Sequence, residues 1–363
     1  MKTDTTEKPY ILLVLGGFIL MSCIIFSGFI NQIPASDEMI FIRLTDNLPK
    51  YESYKEWWSL DGKTSPSEVL GLETPNPAFN RYNQSVWWHP PVANYLSYPL
   101  VKLLYSEDSL DTIRQGVKNL RVVAWLMTTM TIGCIGFLLW KRLGNSLNLL
   151  LATTPLLLTL PFYNVFGNNW FYHETFMCLF LSIALVLRVT KYRKYIYIPL
   201  ALMVGSKITG FIFLIPFVLE NRKTAFCSLI LLPYFIQCYF GSGNFFYPFS
   251  RAFLPNEAGI VGASDILIRR WIWIKQNFTL LPLALPLLFT SIGVSVYTAY
   301  LVVKRKAGFF YPSLLLMSII IGLTWGAGYY QLVIIGYFSA LVLSMILPLK
   351  IETQSHVREL EYA

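Results

Sequence analysis

Charge is what this chain has least of. Of its 363 residues only 13% are charged while 55% are hydrophobic, and ten Trp, 22 Tyr and 26 Phe raise the aromatic share. Between Tyr10 and Ile30 no charged residue occurs at all. A charge-free run of about 20 residues crosses a hydrocarbon core of about 30 Å as a helix, and comparable runs recur along the chain. Composition therefore excludes a soluble globular protein and points to a polytopic helical membrane protein. The run at Tyr10 exceeds the ~7–15 residues of a secretory signal core, so it reads as a retained anchor. Cysteine is scarce too. Cys23, Cys134, Cys178, Cys227 and Cys238 fall within or at the edge of apolar segments and form no C-x-x-C pair, which argues against a disulfide framework or a cysteine zinc site. The sequence has no internal repeat of the kind that builds many transporters, and no low-complexity segment.

The charge that is present has a pattern. A net charge of +9 would suit a nucleic-acid partner, but many of the Lys and Arg residues cluster in short loops between apolar runs. That is the positive-inside pattern of a membrane protein, and no nucleic acid is expected. The stretch from Gln32 to Lys118 instead holds 11 of the 20 acidic residues, as an extracytoplasmic loop would. Further spans are expected at about Val122 to Trp140, Leu147 to Phe162, Trp170 to Leu187, Ala225 to Phe240, Leu280 to Val303, Ala307 to Leu323 and Tyr329 to Leu349, with a second external loop from Gly241 to Asn277.

One stretch, "YIYIPLALMVGSKITGFIFLIPFVL" from Tyr195 to Leu219, fits either one span or two half-length helices turning around Gly205, Ser206 and Lys207. A single span would place Arg222, Lys223, Lys304, Arg305 and Lys306 outside, whereas a hairpin keeps them inside, and the charge rule selects the hairpin. The expected fold is all-α, with about ten membrane helices and two large extracytoplasmic loops bearing amphipathic interfacial helices. It divides into a unit over 1–220, which includes loop 32–118, and a unit over 221–363, which includes loop 241–277. The sequons at Asn83 and Asn277 lie outside on this topology.

Chemistry concentrates at the outer ends of spans. Asp37 and Glu38 open a helical-looking stretch, Asp37 to Leu48, just after the first span; carboxylates in a first turn also simply favour the helix dipole. "WWHPPVANYLSYPLVKLL", Trp87 to Leu104, sets two Trp, His89 and two Pro ahead of a weakly amphipathic helix suited to the membrane surface. His173 and Glu174 open the fourth span, where an ionisable pair marks a functional site by default. Lys207 at the hairpin turn, Arg251, and Arg269, Arg270 and Lys275 around "RRWIWIK" are cations placed to meet a phosphate. Snorkelling to the surface or an interfacial helix would account for them equally well.

In this order, "SDEMIFIRLTDNL", "HPPV", "NLR" at Asn119 to Arg121 and "GSKITGFIFLIP" make the chain resemble the GT-C fold glycosyltransferases that use polyprenyl-phosphate sugars, among them protein O-mannosyltransferases and aminoarabinose transferases. The resemblance covers about Ile30 to Leu219. It implies an inverting transferase in a prokaryotic cell membrane, moving a sugar from a dolichyl or undecaprenyl phosphate to an acceptor glycan, lipid or protein on the extracytoplasmic face. Asp37 would be the base and Glu38 a neighbour shaping the site. Lys207, Arg251, Arg269 and Arg270 would hold the donor phosphate. His89, His173, Glu174, Tyr329 and Tyr330 would line the substrate site, and Glu174 with His173 would hold a divalent metal (Mg or Mn) if one is used. The chain departs from the family at a late span, where "GAGYYQ" has no Arg before its tyrosines. The rival reading is a transporter or lipid flippase, whose ionisable residues would lie near mid-membrane on broken helices.

The topology is open to direct measurement. In a cysteine-free background, a cysteine at position 83 should react with an impermeant reagent applied to intact cells, and one at position 305 should be protected. Labelling at both positions would overturn the hairpin.

Overall fold

A computed structural model of the chain describes residues 90–106, 108–142, 171–242 and 244–246, together with single positions in the first 46 residues and between 296 and 317. The elements are α1 (Val92–Leu104), α2 (Leu110–Arg142), α3 (His173–Arg188), a 3-10 turn (Arg193–Tyr195), α4 (Tyr197–Ser206), α5 (Gly210–Glu220), a 3-10 segment (Arg222–Leu231) and α6 (Leu232–Ser242). No strand occurs among the described residues. Among the described residues two stretches, Asp111–Leu138 and Arg222–Phe240, are helices long and apolar enough to cross a membrane.

α2 buries Ile113, Val117, Leu120, Ala124, Thr128, Thr131, Ile135 and Leu138, steps of three and four residues that make one stripe along a helix. Its other faces expose Leu126 and Met130, which suits a lipid surround better than water. The helix starts 12 residues before the expected span at Val122, because the polar segment around Asp111 to Lys118 continues the same stripe. α1 buries Asn94 and Ser97 together with Ala93 and Val101, and exposes Tyr95, Leu96 and Leu103.

The hairpin is present. α4 ends at Lys207, whose backbone is extended (φ −153°, ψ 142°). The chain then turns tightly, Gly210 N–H donating to the Lys207 carbonyl at 2.9 Å, and returns as α5. The far ends of the two helices meet: Glu220 at the end of α5 accepts from Arg188 at 2.8 Å and Arg193 at 3.3 Å, both of which precede α4. Asn221 donates to the Tyr197 hydroxyl at 3.2 Å. Leu200, Met203, Val204, Phe213, Leu214 and Phe217 bury the hairpin's inner face against Leu181, Ala184 and Leu185 of α3.

Glycine permits two close approaches. A Cβ on Gly205 would lie 2.4 Å from Val92 Cγ2, where α4 packs against α1, and one on Gly210 would lie 2.5 Å from the Met203 carbonyl oxygen at the turn. Gly133 in α2 has nothing within 4 Å of that position. Gly210→Ala should therefore lower the melting temperature of the detergent-solubilised protein, by the equivalent of about 1–3 kcal/mol of overpacking. Gly133→Ala should leave it unchanged or slightly higher, since alanine is the better helix former by ~1 kcal/mol. Equal melting of the two variants would mean that the turn is not packed as described.

Candidate functional site

Two buried ion pairs and an aromatic cluster join segments far apart in sequence. Glu38, Phe41, Ile42 and Thr45 are helical and buried, the i, i+3, i+4, i+7 stripe of an amphipathic helix. Glu38 is the charged member of that stripe. Its carboxylate accepts from Arg121 Nε at 3.0 and 3.1 Å and from Nη2 at 2.6 Å. Arg121 Nη1 donates to the Ile30 carbonyl at 3.4 Å, and the Phe171 N–H reaches Glu38 Oε1 at 3.4 Å. Neither side chain is more than 1% exposed. Charges taken out of water are tolerated only when hydrogen bonds replace the lost hydration, and the planar guanidinium fork supplies them in one fixed geometry. The stripe is also tied to α1, where Asn94 donates to Thr45 Oγ1 at 2.9 Å and Lys102 pairs with Asp46 at 2.6 Å.

Phe41, one turn beyond Glu38, sits at the centre of the aromatic cluster. Its ring lies 4.6 Å from His173, 5.6 Å from Phe171 and 6.0 Å from Tyr172 and Phe176, mostly edge to face. His173 Nδ1 is 2.9 Å from the Ser206 carbonyl oxygen; a carbonyl only accepts, so Nδ1 carries the proton. One residue further on, Glu174 pairs with Lys207, both side chains at most 4% exposed, and the Lys207 ammonium lies 5.5 Å from the centre of the Tyr172 ring. Lys207 is the only hydrogen-bonding group that the described residues bring to the Glu174 carboxylate.

Four of the residues singled out in the sequence, Glu38, His173, Glu174 and Lys207, thus belong to one connected group. Asp37, His89, Arg251, Arg269, Arg270, Lys275, Tyr329 and Tyr330 lie outside the described residues. Sequence reasoning missed the partner of Glu38. The signal was present, since Arg121 opens an apolar span and a charge there needs an opposite charge, but nothing in the sequence said which acid it would find. The aromatic cluster around Phe41 was missed as well.

Beside Glu174 the described cation is Lys207, and His173 donates Nδ1–H to the Ser206 carbonyl, which leaves Nε2 as the ring nitrogen that could hold a metal; no group of three or more His, Cys, Asp or Glu side chains occurs among the described residues. No protein-family model, curated protein or solved structure matches the chain, so the reading of this site rests on its chemistry.

Removing one partner of a buried pair leaves the other charge uncompensated, at a cost of about 3–5 kcal/mol. Arg121→Met alone should markedly lower the melting temperature, and adding Glu38→Leu should recover a large part of the loss. A double variant that melts below the single one would show that the pair is not what holds these segments together.

Proposed function

We propose that the chain is an integral membrane, inverting glycosyltransferase that moves a sugar from a polyprenyl phosphate to an acceptor hydroxyl or amine on the extracytoplasmic face of a prokaryotic cell membrane. The observation that carries this reading is the convergence just described. The residue after Asp37 is anchored to α2 and to the start of α3, and the same aromatic cluster leads through His173 and Glu174 to Lys207. The segments that resemble the transferase family in sequence order meet at one place.

The chemistry requires few groups. The acceptor O–H or N–H gives its proton to Asp37 as the acceptor atom attacks the anomeric carbon. The bond from that carbon to the phosphate oxygen breaks with its electron pair going to the phosphate, and the configuration inverts. A phosphate leaves without a general acid when cations meet its charge. Lys207 is the described cation for that task, and Glu174 holds its ammonium in place. Arg251, Arg269 and Arg270 remain further candidates on sequence grounds.

A transporter or flippase is the second reading, favoured by the buried Lys207–Glu174 pair at an interrupted helix, a common form of intramembrane site. Against it, the interruption lies level with the first residue of α3 rather than with its middle, as the His173–Ser206 contact fixes.

Purified protein incubated with radiolabelled polyprenyl-phosphate sugars and candidate acceptors separates the two. Transfer should be observed, and Asp37→Asn should reduce single-turnover transfer by a factor of about 10²–10⁴ with unchanged melting. Lys207→Met should act chiefly through a raised donor KM. An Asp37→Asn variant that transfers at the wild-type rate ends the catalytic assignment, and label that crosses proteoliposomes without transfer favours transport.

A further inference from the structure

The opposite end of the hairpin carries a second feature, independent of glycosyl transfer. The end of α3, the start of α4, the end of α5 and the start of the 3-10 segment Arg222–Leu231 come together there, stapled by Glu220 to Arg188 and Arg193 and by Asn221 to Tyr197. Between Arg188 and Thr224 Glu220 is the only acid, and it is already shared between two arginines. Lys191, Lys194, Arg222 and Lys223 are exposed around it. Two basic loops some 30 residues apart in sequence, "RVTKYRK" and "NRK", therefore form one cationic surface.

Its surroundings are apolar on one side. Ile198, Leu219 and Phe226 lie one to four residues inward from the charged positions and are 61%, 65% and 70% exposed. Tyr192 and Tyr195 lie between the cations and are about half exposed, with the Lys191 and Lys194 ammonium groups 5.3 and 5.0 Å from their ring centres. An exposed apolar wall, a tyrosine collar and a ring of cations without an acid partner among the described residues match, in order, the acyl region, the interface and the phosphate layer of a bilayer. We infer that this surface is a binding site for anionic phospholipid headgroups, occupied by the leaflet that the charge rule places on the cytoplasmic side. Charge complementarity selects the lipid class. A zwitterionic headgroup offers the same phosphate but no net charge, whereas an anionic one is attracted by every cation of the ring.

Melting of the full chain in a neutral detergent, titrated with phosphatidylglycerol or phosphatidylcholine, tests the inference. Phosphatidylglycerol should raise the melting temperature at concentrations where phosphatidylcholine does not. Each Lys or Arg near an anionic surface contributes about fivefold to binding, so Lys191→Gln/Lys194→Gln/Lys223→Gln should weaken the apparent lipid affinity about a hundredfold while leaving lipid-free melting near wild type. Should that variant fold poorly, the salt dependence of the wild-type protein serves instead: in about 1 M salt, where the Debye length is ~3 Å, the difference between the two lipids should vanish. Equal stabilisation by both lipids, or an undiminished response in the variant or at high salt, overturns the inference. Inorganic phosphate stabilising as well as phosphatidylglycerol would overturn it too, in favour of a site for free anions.

Discussion

The described part of the molecule depends on a carboxylate that has left water. Glu38 lies in the middle of a buried stripe, and without Arg121 its charge would be untenable there, since the penalty for an isolated ion in a low-dielectric interior far exceeds any packing gain nearby. The pair is satisfied on several sides, through the guanidinium fork, the Ile30 carbonyl and the Phe171 N–H. Each of these bonds belongs to a different stretch of chain. One electrostatic requirement therefore fixes the segment after the first apolar run, the second helix and the entry to the third relative to one another, a task that non-directional apolar contacts perform less specifically.

With that junction set, the aromatic cluster follows. Phe41 is one turn beyond Glu38 on the same stripe, so anchoring Glu38 places its ring against Phe171, Tyr172 and His173. The His173 hydrogen bond to Ser206 then carries the register onward to the hairpin. Its other end is fixed separately by Glu220. A helix pair that would be free to slide along α3 is pinned at both ends by polar contacts, while its apolar inner face provides the attraction.

Much of this was legible in the sequence, for identifiable reasons. The hairpin over Tyr195 to Leu219 followed from where Arg222 and Lys223 had to lie, a constraint read from charge alone. The helix ahead of Leu104 and the helical stretch containing Glu38 followed from local pattern. The helical extension ahead of the Val122 span was not legible, since the polar residues from Asp111 to Lys118 lower the hydropathy of a segment whose buried stripe continues unbroken. Least legible were the pairings. Arg121 is separated from Glu38 by 83 positions, and several acids in the same loop were equally eligible; only three-dimensional packing chooses among them. Lys207 and Glu174 were each recognised as significant, but their pairing with each other was not.

That last pairing bears on how the site would work. The two buried pairs differ in kind. Arg121 is a planar fork that donates both to the Glu38 carboxylate and to the Ile30 carbonyl, in the interior of a continuous helix, and exchanging its partner would disrupt the junction. Lys207 is a point charge on a flexible stem, at a residue where helical hydrogen bonding is already interrupted, and its carboxylate partner has no other donor among the described residues. Displacing Glu174 would leave a buried carboxylate unpaired, but an ammonium has three donors, so on the proposed reading Lys207 can donate to a phosphate oxygen while still paired with Glu174. The arginine pair is therefore built to stay, and on the same reading the lysine pair is the one that also meets a substrate's anion.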